Sequence, residues 1–255
     1  MCRSIAEVRM EERVLGGGAV NEVVRVGSTV RRRPHERSAY VRELLTHFER
    51  RGWEGAPTYI GYDKQGREVF GYLEGRAAVT PRERAAARTD AGLVRVAQLV
   101  RAFHDLTHGT PLAGGQDVVC HNDLAPKNTV HAIDGADWWA TAFIDWDLAA
   151  PGERVHDLAH VCWQYLDLGP GVTDVFEAAR RIALVRDAYG PVAGGAELVD
   201  VVLWWQDRCV RGIEAGAVRG EPAMVGLRDR GVVDEVRDAY AWVAEHRAEL
   251  EIFLR

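Results

Sequence analysis

The sequence has 255 residues, 47% of them apolar and 27% charged, with a formal net charge of −6. That is enough chain to bury a sizeable core as one bilobal unit or two small domains, and the acidic balance, relieved only at Arg31-Arg32-Arg33, argues against nucleic acid as the main partner. No apolar run is long enough to cross a bilayer, the N-terminus carries no signal-peptide block, and Cys2, Cys120, Cys162 and Cys209 form no C-x-x-C pair, so the expectation is a cytoplasmic protein with reduced thiols, no membrane partner and no structural zinc.

Residues 12 to 33 read as strand, glycine loop (Gly16, Gly17, Gly18), strand, tight turn at Gly27-Ser28, and strand. Glycines let backbone N–H groups approach a phosphate closely; the same triple glycine also suits a plain hairpin turn. In the third strand Val30 and Arg32 share a face. They read either as a platform for an adenine with a cation beside the α- and β-phosphates, or as part of a solvated edge. Pro34 ends the strand, and Ser38 to Arg51 carries Val41, Leu44, Leu45 and Phe48 at helical spacing up to Gly52. Residues 57–62 and 68–73 are strands around the turn Asp63-Lys64-Gln65-Gly66. Near residues 71–76 the chain changes character, which predicts a hinge.

Beyond Pro81 the pattern is mainly helical. A helix over 90–107 shows Leu93, Val96, Ala97, Val100 and Phe103 on one side, with His104 read as a packed or capping histidine, and Gly109-Thr110-Pro111 stops it. The stretch from His121 to Asp147, HNDLAPKNTVHAIDGADWWATAFIDWD, is a polar run, a short strand, an Asp-Gly turn and a second strand, which predicts a hairpin. His156-Asp157-Leu158-Ala159-His160 opens another helix, and helices follow over 175–189, 196–217 and 232–254. The long one has Val202, Trp205, Cys209, Ile213 and Gly216 as a packing stripe; Asp207, Arg208, Arg211 and Glu214 lie on or near the other side, as a solvated face or as contacts to a substrate.

The hairpin brings the loop holding Asp123 and Asn128 beside the strand end at Asp145. Mg²⁺ takes hard oxygen ligands, one or two from side chains and the rest from water and phosphate, so Asn128 and Asp145 suit it. Asp123 is left to orient a hydroxyl and take its proton. Asp and Asn also favour turns on their own account, but the joint spacing of these three points to a site.

The H-x-D-x-x-x-x-N pattern at His121, Asp123 and Asn128, followed by Ile144-Asp145 and Asp157-Leu158-Ala159, resembles the aminoglycoside phosphotransferase and choline kinase-like family, over nearly the whole chain. The resemblance implies an α+β bilobal protein-kinase-like fold: a small antiparallel β-sheet N-lobe with one helix over residues 1–75, and a larger, mainly helical C-lobe over 76–255 with the catalytic loop, metal site and substrate pocket. It implies that Asp123 is the catalytic base, braced by His121; that Asn128 and Asp145 bind Mg²⁺; that Asp157 anchors the first helix after the metal strand to the loop; and that ATP or GTP is held by Gly16, Gly17, Gly18, Val30, Arg32 and the backbone of Gly71, Tyr72 and Leu73.

Two positions depart from the family's pattern. Arg32 stands where a lysine is usual, and guanidinium is not a simple replacement for ammonium. The acid expected on the following helix falls at Tyr40 or Val41, with Glu36 and Glu43 to either side, so the nucleotide site is expected to be weaker or differently organised. The function this implies is transfer of a γ-phosphate to a hydroxyl of a small molecule, antibiotics among the candidates. Residues 160–230 mix Asp and Glu with a similar number of Arg, which argues against a polycationic acceptor. The stretch between Asp145 and His156 is too short for a protein kinase's activation segment. The rival is a degenerate kinase-fold binding or immunity protein without phosphotransfer activity.

Overall fold

The computed structural model describes residues 12–15, 23–135, 137–191 and 197–254. Strands β1 (Glu12–Leu15), β2 (Val23–Val26), β3 (Thr29–Arg32), β4 (Tyr59–Tyr62) and β5 (Glu68–Gly71) form an antiparallel sheet in the order β1-β2-β3-β5-β4. The β2–β3 turn is tight because Gly27 adopts φ 59°, a backbone state open to glycine. Between β3 and β4 the chain forms α1 (Ser38–Arg50), whose Val41, Leu44, Leu45 and Phe48 are buried as their spacing predicts. The glycine loop at Gly16, Gly17 and Gly18 and the residue Cys2 lie outside the described residues.

The second part begins earlier than its helices do. β6 (Arg76–Ala77) pairs with β8 (Thr129–Asp134), which pairs with β9 (Asp137–Phe143), so residues 72–75 are the crossing between the two sheets, where the hinge was expected. The chain passes very close there: a Cβ on Gly75, at φ 139°, would stand 2.6 Å from the His131 carbonyl oxygen. Then follow α2 (Pro81–Ala87), α3 (Asp90–Thr107), β7 (Val118–Cys120), β10 (Ala150–Gly152), α4 (Arg154–Leu166), α5 (Val175–Tyr189), α6 (Leu198–Val218), α7 (Pro222–Asp229), α8 (Val232–Glu245) and α9 (Arg247–Leu250). Thr80 and Glu83 form a capping box on α2, and Thr89 and Asp174 cap α3 and α5.

The fold is therefore the α+β arrangement implied by the resemblance: a small antiparallel sheet with one helix, followed by a helical lobe around a β-hairpin. The core runs through both, because Phe48 of α1 meets Trp146 at 5.2 Å and Phe103 of α3 at 6.3 Å between ring centroids. Several elements differ from expectation. The strands around residue 63 are shorter than 57–62 and 68–73. The helix read as 232–254 breaks at His246, and α7 is an addition. It starts at Pro222, where a missing N–H costs nothing, and ends before Gly231. With no fully buried residue, α7 leaves no strong periodic stripe in the sequence. None of the described helices is long and apolar enough to cross a membrane.

Candidate active site

The polar run before β8 is shaped by a buried carboxylate. Asp157, fully buried on α4, accepts the backbone N–H of His121 at 2.7 Å and of Asn122 at 2.9 Å, and the His104 Nε2–H at 3.1 Å. His104 in turn accepts at Nδ1 from the Tyr189 hydroxyl (2.8 Å), whose oxygen takes a hydrogen bond from Arg154 (3.1 Å). Burial raises the Asp157 carboxyl, but the hydrogen bonds it accepts from His104 and from the His121 and Asn122 N–H groups outweigh burial and hold it below the usual range. His104 is thus the packed histidine its sequence position suggested, with the added task of orienting Asp157.

With two N–H groups fixed, Asn122 turns into the left-handed region at φ 64°, a state that Asn and Asp tolerate better than other L-residues. Its Nδ2 donates to the Leu148 carbonyl at 2.9 Å, tying the loop to the segment after Asp145. His121 is fully buried and neutral. The Asp123 N–H donates to its Nδ1 (3.3 Å), so Nε2 carries the proton and donates to the Ile144 carbonyl (3.1 Å). Burial is the first cause that lowers its pKa. The ring packs at 4.5 Å on Trp146. His121 therefore braces the loop and does not face solvent.

Asp123 and Asn128 are joined directly, and the residue before Asp145 is tied to Asn128. Asn128 donates from Nδ2 to the Asp123 carbonyl (2.9 Å) and to its Oδ2 (2.7 Å), and its own carbonyl accepts from the Ile144 N–H at 2.9 Å. Both side-chain bonds use the nitrogen, which leaves the amide oxygen as an acceptor. Lys127 stands 3.7 Å from Asp123 Oδ2. Asp145 sits at φ 66°, two residues beyond the end of β9. Its carboxyl lies above the usual range, first through desolvation, then through the charges of Asp147 and Asp123, with Arg32 and Lys127 pulling the other way. Hard oxygen donors crowded with excess negative charge fit a Mg²⁺ ion.

Arg32 is placed differently from a simple lysine substitute. Its Nη1 lies 2.5 Å from Asp147 Oδ1, its Nε lies 3.5 Å from Glu68 Oε2, and its guanidinium carbon stands 4.9 Å above the Phe70 ring. His35 Nε2 is 3.1 Å from the same Asp147 oxygen. Glu68, buried on β5 directly across from Arg32, also accepts from the Ser38 hydroxyl at 2.9 Å. The acid sought on α1 is therefore supplied by the neighbouring strand, while Glu36 and Glu43 are both exposed. Sequence reading missed Glu68 because pairing across strands is not visible along the chain; Asp147 had a signal, two residues past Asp145. At the crossing, the Gly71 N–H donates to Thr58 and the Tyr72 N–H to Ser28, both at 2.9 Å, whereas the Leu73 N–H has no partner among the described residues. Val30 pairs with Phe70 in the same ladder.

A family model described as the phosphotransferase enzyme family matches residues 61–194, more than half of the chain and all of the loop, hairpin and Asp157 just described. The chain belongs to the phosphotransferase enzyme family. The chain is similar to the trifolitoxin immunity protein of Rhizobium leguminosarum bv. trifolii, at 29% identity over 203 residues, covering 71% of this chain and 74% of that protein. Its fold matches a Plasmodium vivax ethanolamine kinase with a TM-score of 0.61, at 12% identity over 94% of this chain and 83% of that one. The GDP and kanamycin complex of APH(2″)-IIIa matches with a TM-score of 0.60, at 15% identity over 91% and 95%. At such identities the likeness to solved structures is one of fold.

Proposed function

We propose that this phosphotransferase moves the γ-phosphoryl group of ATP or GTP to a hydroxyl of a small molecule, with Mg²⁺. Residues 1–75 hold the nucleotide; residues 76–255 carry the catalytic loop, the metal site and the acceptor pocket. The observation that carries this reading is the Asn128–Asp123 hydrogen bond at 2.7 Å beside Asp145, whose carboxyl is raised first by desolvation and then by the charges of Asp147 and Asp123.

In this reading Asn128, through its amide oxygen, and Asp145 hold the metal, which supplies positive charge against the phosphates. Asp123, fixed by Asn128, accepts the acceptor's hydroxyl proton as the new O–P bond forms and the bond from the γ-phosphorus to the bridging oxygen breaks, releasing the nucleoside diphosphate. His121 and Asp157 hold the loop still. Val30 packs under the base, Leu73 offers its N–H to the base edge while Gly71 and Tyr72 shape the crossing, and Arg32 binds phosphate from its place between Glu68 and Asp147. Gly16, Gly17 and Gly18 cover the phosphates. Support for the nucleotide comes from the fold neighbour solved with GDP.

The test is thermal stability with ATP and with GTP, each with and without Mg²⁺, on the wild type and on Asp145→Asn. A ligand at a hundred times its dissociation constant stabilises by about 2.7 kcal/mol. A Mg²⁺-dependent rise that Asp145→Asn removes is the expected result; no rise with either nucleotide sinks the proposal.

A second reading, a binding or immunity protein that sequesters its ligand, is favoured by the similarity to the trifolitoxin immunity protein. The two part at Asp123→Asn: under the first reading cells lose any protection the chain gives them, and under the second they keep it.

A further inference from the structure

The acceptor side of the site can be followed contact by contact. His160 on α4 donates from Nδ1 to the carbonyl of Leu124, next to Asp123, at 3.0 Å. Its ring meets Trp205 of α6 edge-on at 5.0 Å, and the Trp205 indole N–H donates to the His156 carbonyl at 2.8 Å. One turn further along α6, the Cys209 thiol is raised first by burial, with the charge of Asp123 adding to the rise and that of Lys127 opposing it. At Gly212 a Cβ would meet nothing within 4 Å, so the wall is open there. Trp205, Cys209 and Gly212 share one helix face by their spacing, and Trp205 on that face reaches the loop through His160 and the Leu124 carbonyl.

Arg208 lies on the flank of this face. Its guanidinium carbon is 5.3 Å from the Trp204 ring and 5.8 Å from the Trp205 ring. Trp204, 40% exposed, is itself backed by the His156 ring, stacked at 5.2 Å with 15° between planes. Among the described residues Arg208 has no carboxylate partner. Its neighbour Arg211 is neutralised by Asp207 at 2.5 Å, and Lys127, 60% exposed, keeps only a 3.7 Å contact to Asp123.

We infer that the acceptor carries an anionic group, a carboxylate or a phosphate, near its reacting hydroxyl, and that Arg208, held on Trp204 and Trp205, receives it. This rests on the phosphotransferase reading and narrows it. Exposed indole faces beside an active site are where a ligand ammonium would be expected to settle. Here the protein's own guanidinium already covers them, so an ammonium meets Arg208 and Lys127 as like charges. A carboxylate or phosphate instead completes a fork-shaped pair with a side chain whose rotamer freedom is already restricted. The acceptor class thus differs from the kanamycin bound by one fold neighbour and the ethanolamine named for another.

The experiment uses the full chain and four probes with one six-carbon polyol skeleton: sorbitol, glucamine, gluconate and sorbitol 6-phosphate, titrated calorimetrically at constant ionic strength with and without Mg²⁺ and ADP. Gluconate or sorbitol 6-phosphate is expected to bind at least about tenfold more tightly than glucamine, the size of one charge-assisted hydrogen bond, and Arg208→Gln is expected to erase that preference. Which of the two anions wins tells carboxylate from phosphate. Iodide and caesium quenching of Trp204, taken as wild type minus Trp204→Phe, reads the same charge without depending on probe shape: iodide is expected to quench severalfold better, and equally with caesium in Arg208→Gln. Glucamine binding as well as gluconate, an anion preference that survives Arg208→Gln, or caesium quenching as well as iodide overturns the inference. If none of the four polyols binds, the quenching decides alone. The nucleotide test on Asp145→Asn is separate: a chain that binds nucleotide without the charge preference loses this inference only, and one with the preference but no nucleotide binding loses the phosphotransfer reading.

Discussion

Arg32 illustrates how a residue's role depends on partners that are distant in sequence. A lysine at this place would present a point charge; the guanidinium instead spans Glu68 and Asp147 at once. Because Glu68 is only 1% exposed, removing its cation leaves a buried carboxylate with the Ser38 hydroxyl as its remaining donor among the described residues. Arg32→Ala is therefore expected to lower the unfolding free energy by about 2 kcal/mol or more, and Glu68→Gln in the same chain should recover part of it. Urea unfolding of the two variants checks this; a loss below about 0.5 kcal/mol would place Arg32 among ordinary surface pairs. The hairpin that leads from Asn128 to Asp145 was legible from spacing alone. Glu68 was not, because its approach to Arg32 depends on the β3–β5 register.

Among the elements, the β8–β9 hairpin was legible because an Asp-Gly turn and two apolar runs leave few alternatives. Asp134 and Asp137, expected in the turn, instead pair as the last rung of the hairpin, and residue 136 lies outside the described residues. The crossing that joins β5 to β6 was legible only as a change of composition. Its constraint is Gly75, whose φ of 139° and 2.6 Å approach to the His131 carbonyl admit no side chain. Gly75→Ala is expected to cost about 1–3 kcal/mol and to shift β6 against β8. Hydrogen exchange should show faster amides in residues 76–77 and 130–131 than elsewhere in the hairpin; unchanged exchange and stability would mean that the crossing has slack. Asn122, Asp145 and Asp167, all left-handed, are the non-glycine residues held in that uncommon state among the described residues.

For the molecule as a whole, the helical lobe is assembled around histidines kept neutral. His104, His121 and His160 are almost or wholly buried, and burial is the first cause that lowers each below the ordinary value of 6.5. Their unfolded counterparts take up protons first as pH falls. The stability they contribute is thus fully present above pH 6.5 and is lost as pH drops through that value towards their folded-state pKa. Asp157, also lowered, extends the loss into the carboxylate range. Asp145, raised, works in the opposite sense there. Urea midpoints are expected to decline steadily from pH 7.5 to 5.5 in the absence of ligand, each unit of depression contributing about 1.4 kcal/mol. A midpoint that stays flat across that window would show that these side chains are not held neutral by burial.

The sequence by itself determined the architecture, the family and the loop, hairpin and helix that gather the oxygen side chains. Those features are encoded locally, in helical and strand periodicity, turn residues and the spacing of a few polar groups, and local encoding survives in a single chain. Tertiary structure alone decided which acids meet Arg32, how Arg154, Tyr189 and His104 reach the His121–Asn122 loop through Asp157, and that Arg208 lies over Trp204 and Trp205. Each of these depends on strand register, helix packing or rotamer choice, which are set by how distant segments fill space together.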